Sequence, residues 1–418
     1  MRVLVIGGGV GGLTAALSLH AAGIGCVVAE SVPEPRPLGV GINLQPHAVR
    51  ELTELGLGEE LAAIGVPTAR QIYADRFGNV ILSLPRGRAA GYRWPQYSVH
   101  RGELQMSLLA AVRERLGERA VMTGLAFEDL AEGPDGVTAS LRDVRTGEPV
   151  RITADALVGA DGLHSAVRAR LHPSGGPLLW SGIRMWRGIT RSRPFLDGAT
   201  MLIAGSNRSC KFVAYPVSPD RTRINWVAEV KVAGGGEAAP VADWTRRGRP
   251  EDVLAHFADW KLPWFDVPGL LSGAGRILEY PMVDREPLPS WGRGRATLLG
   301  DAAHPMYPVG SNGGSQAVLD ARILARHLAV LGPAAGLAAY EEERRPATTP
   351  LVLANREMPM ERTIATVAER APYGFGDVSE VLTPAELAEM AEGQRRMTDM
   401  DVAFLNERPS WSVGNPAT

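Results

Sequence analysis

The chain has 418 residues, 45% hydrophobic and 22% charged, and its 44 basic and 46 acidic side chains give a formal charge of −2. That size can bury a large core in two closely packed domains, and the balanced charge leaves no basic footprint for nucleic acid. Two cysteines without CxxC spacing, Cys26 and Cys210, indicate neither a zinc site nor a disulfide framework, and no apolar run approaches the roughly 18 residues of a membrane span; a metal-free cytoplasmic protein is expected.

In chain order, the first signal is Val3 to Ile6, a branched apolar run with the pattern of a strand buried on both faces of a parallel sheet. Gly7, Gly9 and Gly12 then fall at GxGxxG positions, with Val10 and Gly11 between them, and Leu13 to Leu19 reads as an apolar helix. Such glycines serve a tight turn, close approach of backbone to a pyrophosphate, and close helix–strand packing, while the helix N-terminus binds the phosphates. A second strand, Gly25 to Ala29, ends at Glu30, near the spacing expected for a carboxylate on ribose hydroxyls. The motif by itself suits NAD as well as FAD.

Between residues 180 and 279 the strand signals thicken: Trp186 to Thr190, Thr200 to Ala204, Lys211 to Val217 and Arg223 to Val230 predict an antiparallel sheet. Tryptophans crowd this insert and most are expected in its core, while one or two aromatics facing the flavin would suit stacking of a flat substrate. Gly234 to Gly236 and the run Arg246 to Arg249 read as loop and solvated surface.

Farther on, Ala296 to Gly300 reads as another buried strand ending in Asp301, at the strand terminus where open α/β sheets bind ligands. The loop Pro308 to Gly314, with Gly310, Asn312 and Gly313, leads into a helix whose stripe is Val318, Ala321, Ala325 and Leu328. Successive N–H groups and a helix N-terminus there would stabilise the negative charge of a reduced flavin. His304 reads as a structural hydrogen-bonding residue. The two motifs together describe both ends of one long cofactor, non-covalent FAD. The tail after residue 360 reads as helical, with disorder expected over Ser410 to Thr418.

Three fingerprints in order carry a family resemblance: Gly7 to Gly12, Ala160-Asp161-Gly162 through Arg168, and Gly300-Asp301 through Pro308. The chain resembles the group A flavoprotein monooxygenases of the para-hydroxybenzoate hydroxylase fold. Within them it is most similar to the phenazine-carboxylate hydroxylases, through Arg36 to Pro46, Pro95 to Leu104, Met185 to Gly188 and Tyr280 to Arg285. The resemblance implies an α/β fold: a Rossmann-like FAD domain from residues 1–70, 98–178 and 280–360, a mixed-sheet substrate domain from 71–97 and 179–279, and a C-terminal helical segment, 361–418. To the cofactor-binding residues of the motifs it adds Arg36, Gly41, Arg101, Leu125 and Asp161. It further implies NAD(P)H as a transient reductant, dioxygen activated as a flavin C4a-hydroperoxide, and hydroxylation of an aromatic acid by a monomer or homodimer. In the phenazine hydroxylases the ring carboxylate is lost as the hydroxyl arrives.

Many such enzymes carry Gly-Gln-Gly-x-Asn where this chain has Gly310-Ser311-Asn312-Gly313-Gly314; the backbone N–H role is expected to survive that change, and any role of the absent glutamine side chain is left open. No catalytic base is assigned; Tyr215 and Tyr307 are candidates by location. A flavin-dependent halogenase would carry Trp-x-Trp-x-Ile-Pro, which Met185 to Thr190 does not match, and the intact loop argues against a non-catalytic FAD-binding module.

Overall fold

The computed structural model describes residues 1–235, 243, 246–398 and 400–413; Gly236, Trp244 and residues 414–418 lie outside the described residues. The first motif opens a parallel sheet. Strand β1 (Arg2–Ile6) is buried from Val3 onward, because helices cover a parallel sheet on both faces. Helix α1 (Val10–Ala21) leads to β2 (Gly25–Glu30). Five strands align in the order Ala296–Leu298, Ala156–Gly159, β1, β2, Val121–Thr123, and each neighbouring pair is parallel. The carboxyl ends of β1 and Ala296–Leu298 therefore open at one edge, which brings Gly7 and Asp301 to a common crevice from opposite ends of the chain.

The second large sheet has seven strands, in the order Ile277–Asp284, Leu179–Arg191, Arg223–Lys231, Cys210–Pro216, Thr200–Gly205, Arg70–Ala74, Val80–Pro85. Its insert strands pair antiparallel, as their sequence predicts. Thr200–Gly205 departs from that pattern by also running parallel to Arg70–Ala74, which makes the sheet mixed. Alternation along the strands gives the sheet two different faces. On one, Trp186, Phe212, Trp226 and Trp260 pack in a core with the helices Pro250–Phe257 and Val267–Ser272. The opposite face carries Arg187, Tyr215 and Asn225. These three tryptophans belong to the core, as expected for most tryptophans of the insert.

Between the two sheets lies β3 (Gly41–Leu44), paired antiparallel with Gln96–His100. Its glycine end meets the seven-stranded sheet, and its far end runs into α2 (Pro46–Glu54) beside the helix Gly313–Leu331.

The C-terminal region is helical over Pro359–Arg370, Pro384–Thr398 and Val402–Glu407. Disorder expected from Ser410 is corrected for the described part of the tail. Ser410 Oγ donates to Glu54 at 2.6 Å, Arg322 donates to Ser412 Oγ at 2.7 Å, and the Arg408 guanidinium lies 3.7 Å from the centre of the Trp411 ring. Short polar residues signal disorder only when no ion-pair network is there to receive them. No helix among the described residues is long and apolar enough to cross a membrane.

Candidate active site

At the end of β1 the chain turns with Gly7 at φ +107°, where a Cβ would stand 2.5 Å from the Ala160 carbonyl oxygen. A Cβ at Gly12 would lie 2.0 Å from the Gly7 carbonyl oxygen, so both positions require glycine. The first intrahelical bond of α1 runs from Leu13 N–H to Gly9 O, and the earlier amides of the helix have no partner within it. Nothing stands within 4 Å of a Cβ built at Gly9, so this N-terminus faces open space. Val10 begins the helix, and Gly11 lets it close on Leu299.

Glu30, at the end of β2, accepts hydrogen bonds from Gly8 N–H at 2.6 Å and Val32 N–H at 2.7 Å. Gln105, which carries no motif, donates to the Gly8 carbonyl at 2.8 Å and braces the same turn. Leu125 is buried two residues beyond Thr123, the β-partner of Glu30, and so lies at the same end of the crevice. Arg36 stands apart from this group: it is exposed and paired with Glu34 at 3.0 Å. The loop it occupies has no strand partner to carry it inward.

Asp161 behaves differently from a ligand-facing acid. Its oxygens accept from Ser165 Oγ at 2.5 Å, Ala166 N–H at 2.8 Å and Val167 N–H at 3.1 Å, and so shape the turn into the helix Ala166–Leu171. Arg168 of the same fingerprint donates to the carbonyls of Ala302 and Ala303, both at 3.0 Å. The middle fingerprint thus holds the segment next to Asp301.

Asp301 sits so deep that burial raises its pKa, yet its side chain is open to solvent; it lines a crevice instead of packing. Arg101 shares that situation, its pKa lowered by burial and by the Arg187 charge, with Asp301 and Tyr280 acting the other way. Neither side chain makes a hydrogen bond among the described residues. Next to Arg101, whose backbone N–H donates to the Val40 carbonyl at 3.0 Å, Gly41 is gripped from three sides: its N–H donates to Asn225 Oδ1 at 2.7 Å, and its carbonyl accepts from Tyr215 Oη at 2.9 Å and Arg187 Nη2 at 2.6 Å. A side chain at Gly41 would collide with Val217 and Asn225. This clamp joins residues far apart in sequence and was not visible there.

Beyond Pro308 the loop bends through Gly310 (φ +76°) and Ser311 (φ +57°) into Asn312 and the helix Gly313–Leu331. A Cβ at Gly313 would stand 3.7 Å from Asp301 Oδ1, so the free N–H end of this helix adjoins the Asp301 carboxylate. His304 is buried and bonded to Asp320 at 2.6 Å, which also accepts from Gly300 N–H at 3.0 Å and Arg344 Nε at 2.7 Å. Burial pushes the Asp320 carboxyl up, but the neighbouring His304 and Arg344 outweigh it and hold the group at about 2. His304 is therefore part of the frame. Burial pushes the Tyr215 hydroxyl up to about 12 and raises Tyr307 as well, so neither is a phenolate at neutral pH. The backbone carbonyl of Tyr307 is held by Asn355 Nδ2 at 3.2 Å.

FAD fits this arrangement. An open, glycine-walled helix N-terminus lies beside the Glu30 carboxylate at one end, and at the other the Asp301 carboxylate, which with Arg101 makes no side-chain hydrogen bond among the described residues, adjoins a second helix N-terminus. The crevice is that of an FAD-dependent aromatic monooxygenase, and the chain belongs to the FAD binding domain family, whose model matches residues 1–178 and 282–354. It is 53% identical over 373 residues to phenazine 1,6-dicarboxylic acid hydroxylase PhzS of Lysobacter antibioticus, covering 87% of this chain and 91% of that protein. It is 34% identical over 351 residues to the aurachin C monooxygenase/isomerase of Stigmatella aurantiaca, covering 82% and 85%. Klebsiella pneumoniae HpxO complexed with FAD and uric acid superposes with a TM-score of 0.76 at 27% identity, covering 94% of this chain and 96% of that one.

Proposed function

We propose that this enzyme hydroxylates a planar aromatic acid, specifically a phenazine carboxylate, with NAD(P)H as reductant and dioxygen as oxidant. The observation that carries the reading is the 53% identity to a phenazine dicarboxylic acid hydroxylase, sustained over nearly the full length of both chains. In the decarboxylating form, substrate acid, dioxygen, NAD(P)H and a proton give the phenol, carbon dioxide, water and NAD(P)+. One atom of dioxygen enters the ring and the other leaves as water.

Bound FAD supplies the redox and oxygen chemistry. The chain's own residues bind, orient and exclude water. Gly7 to Gly12 and Glu30 hold the adenosine half; Asp301, Arg101 and the loop Pro308 to Gly313 hold the ring half. The partial positive charge of the Gly313 helix N-terminus favours the anionic reduced state. The clamp on Gly41 sets the seven-stranded sheet against the cofactor layer, and Met185, Tyr280 and Tyr307 cluster with Val40 next to that clamp.

The same reading divides the labour between two domains. Residues 1–70, 98–178 and 280–360 form the FAD domain and 71–97 with 179–279 the substrate domain of a cytoplasmic enzyme. The test is product analysis under isotopically labelled dioxygen, with phenazine-1-carboxylic and phenazine-1,6-dicarboxylic acids. One labelled oxygen in the aromatic product is expected. Hydrogen peroxide as the sole product with both acids overturns the substrate assignment.

A further inference from the structure

Gly310 and Ser311 both adopt left-handed backbone angles, and for a serine that conformation persists only where its surroundings impose it. The restraint comes from Gln45, at the junction of β3 and α2 and 1% exposed. Its side-chain Nε2 donates to the Gly310 carbonyl at 3.3 Å, and its backbone N–H donates to Ser315 Oγ at 3.0 Å. One glutamine therefore holds the loop on both sides of the Gly310–Asn312 bend.

Gln45 is itself held. Arg86, also buried, donates from Nη2 to Gln45 Oε1 at 3.3 Å and from Nε to Gln96 Oε1 at 3.0 Å. Gln96 donates in turn to Asn43 at 3.3 Å. This buried chain runs from the paired strands Gly41–Leu44 and Gln96–His100 to the Gly310 carbonyl, whose orientation sets the following peptide planes. At the start of α2 the Gln45 side chain makes no capping bond to its own helix, which leaves its amide committed to the loop.

We propose that Gln45 is a positioning residue for the ring end of the flavin. By fixing the Gly310 carbonyl it aims the N–H groups of the loop and of the Gly313 helix N-terminus at the cofactor, and so stabilises the anionic reduced flavin. The proposal rests on the FAD reading of the crevice above. It also accounts for a loop that has no glutamine of its own: the amide reaches the loop from another element.

Two variants of the holoenzyme test it. Gln45→Leu keeps the volume but removes both amide functions. Gln45→Glu keeps the acceptor for Arg86, removes the donor to the Gly310 carbonyl and adds a negative charge beside the loop, so a fall in its potential counts only where the uncharged variant falls as well. Both are expected to bind FAD while their two-electron midpoint potential falls; a tenfold loss in preference for reduced over oxidised flavin corresponds to about 30 mV. Hydrogen peroxide formed per NAD(P)H oxidised should rise several-fold. Should Gln45→Leu fail to fold, the uncharged Gln45→Met, which also lacks the amide, takes its place. A holoenzyme of either the uncharged variant or Gln45→Glu with wild-type potential, or a raised one, overturns the proposal. Failure of the wild-type protein to bind FAD would instead overturn the reading on which it stands.

Discussion

Glu30 Oε2 accepts a hydrogen bond from the Gly8 amide at 2.6 Å, so the acid at the end of β2 and the glycine turn at the end of β1 form one unit. The carboxylate therefore shapes the glycine turn, and in the FAD reading proposed above its remaining lone pairs receive the ribose hydroxyls. Glu30→Ala removes both functions and leaves the Gly8 N–H without its partner. A loss of about 1.5–3 kcal/mol in FAD binding is expected, from hydrogen bonds to a charged group, or roughly 10- to 150-fold in Kd. Fluorescence titration of the apoprotein with FAD measures it, and Glu30→Gln, which retains an acceptor, should fall between. Equal Kd values for all three proteins would remove Glu30 from the site.

Asp301 and Asp161 are both acids that follow a glycine or alanine at a strand end, and the structure gives them opposite consequences. Asp301 makes no hydrogen bond among the described residues and lines the crevice, so Asp301→Ala should weaken FAD binding by about 1.5–3 kcal/mol with little change in apoprotein stability. Asp161 accepts three hydrogen bonds within its own turn. Asp161→Ala should lower the stability of the apoprotein by about 1–3 kcal/mol, as loss of a helix-start acceptor does. Thermal unfolding without FAD and FAD titration separate the two; the reverse pattern would exchange their roles.

The glycine turn, its helix and Glu30 were legible in sequence because each rests on local geometry: a strand, a turn that admits only glycine, a helix start. Asp301 and its loop were legible for the same reason. What stayed hidden depends on partners distant in the chain. Asn225 meets Gly41 across 184 residues and Gln45 meets Gly310 across 265, and no spacing rule reaches that far. Likewise, nothing within Thr200–Gly205 shows that it will run parallel to Arg70–Ala74, because pairing is decided by the crossover between them. Arg36 rests on resemblance alone. A residue named through resemblance sits on an exposed loop, where only its ion pair with Glu34 is visible.

Tyr215 was a candidate base, and its hydroxyl donates to the Gly41 carbonyl at 2.9 Å while burial holds its pKa up at about 12. A group so placed is protonated throughout the working range and serves the clamp. Tyr215→Phe should lose one hydrogen bond, about 0.5–1.5 kcal/mol of stability, and keep most of its turnover with the shape of the pH–rate profile unchanged. A loss of turnover on the order of 10²–10⁴-fold, the usual contribution of a general base, would restore Tyr215 to the chemistry.

His47, on α2, is buried, and its Nε2 has no hydrogen-bond partner among the described residues. Burial first, and then the charges of Arg344, Arg408 and Arg86, lower its pKa from 6.5 to about 3. The folded protein thus keeps His47 neutral at pH values where the unfolded chain takes up a proton. Between those two values the unfolded state binds more protons, so stability rises with pH across that window. The contribution is complete above pH 6.5 and is lost progressively as pH falls toward 3. Going from pH 7 to pH 5 should therefore cost about 2 kcal/mol through this residue alone. His47→Gln has nothing to titrate there, so its stability should fall less between those pH values, by about that amount. Denaturant unfolding of both proteins at pH 7 and pH 5, with FAD saturating, measures the difference. If the two proteins lose equal stability, His47 is not the source of the acid sensitivity, and the arginines around it do not hold it neutral.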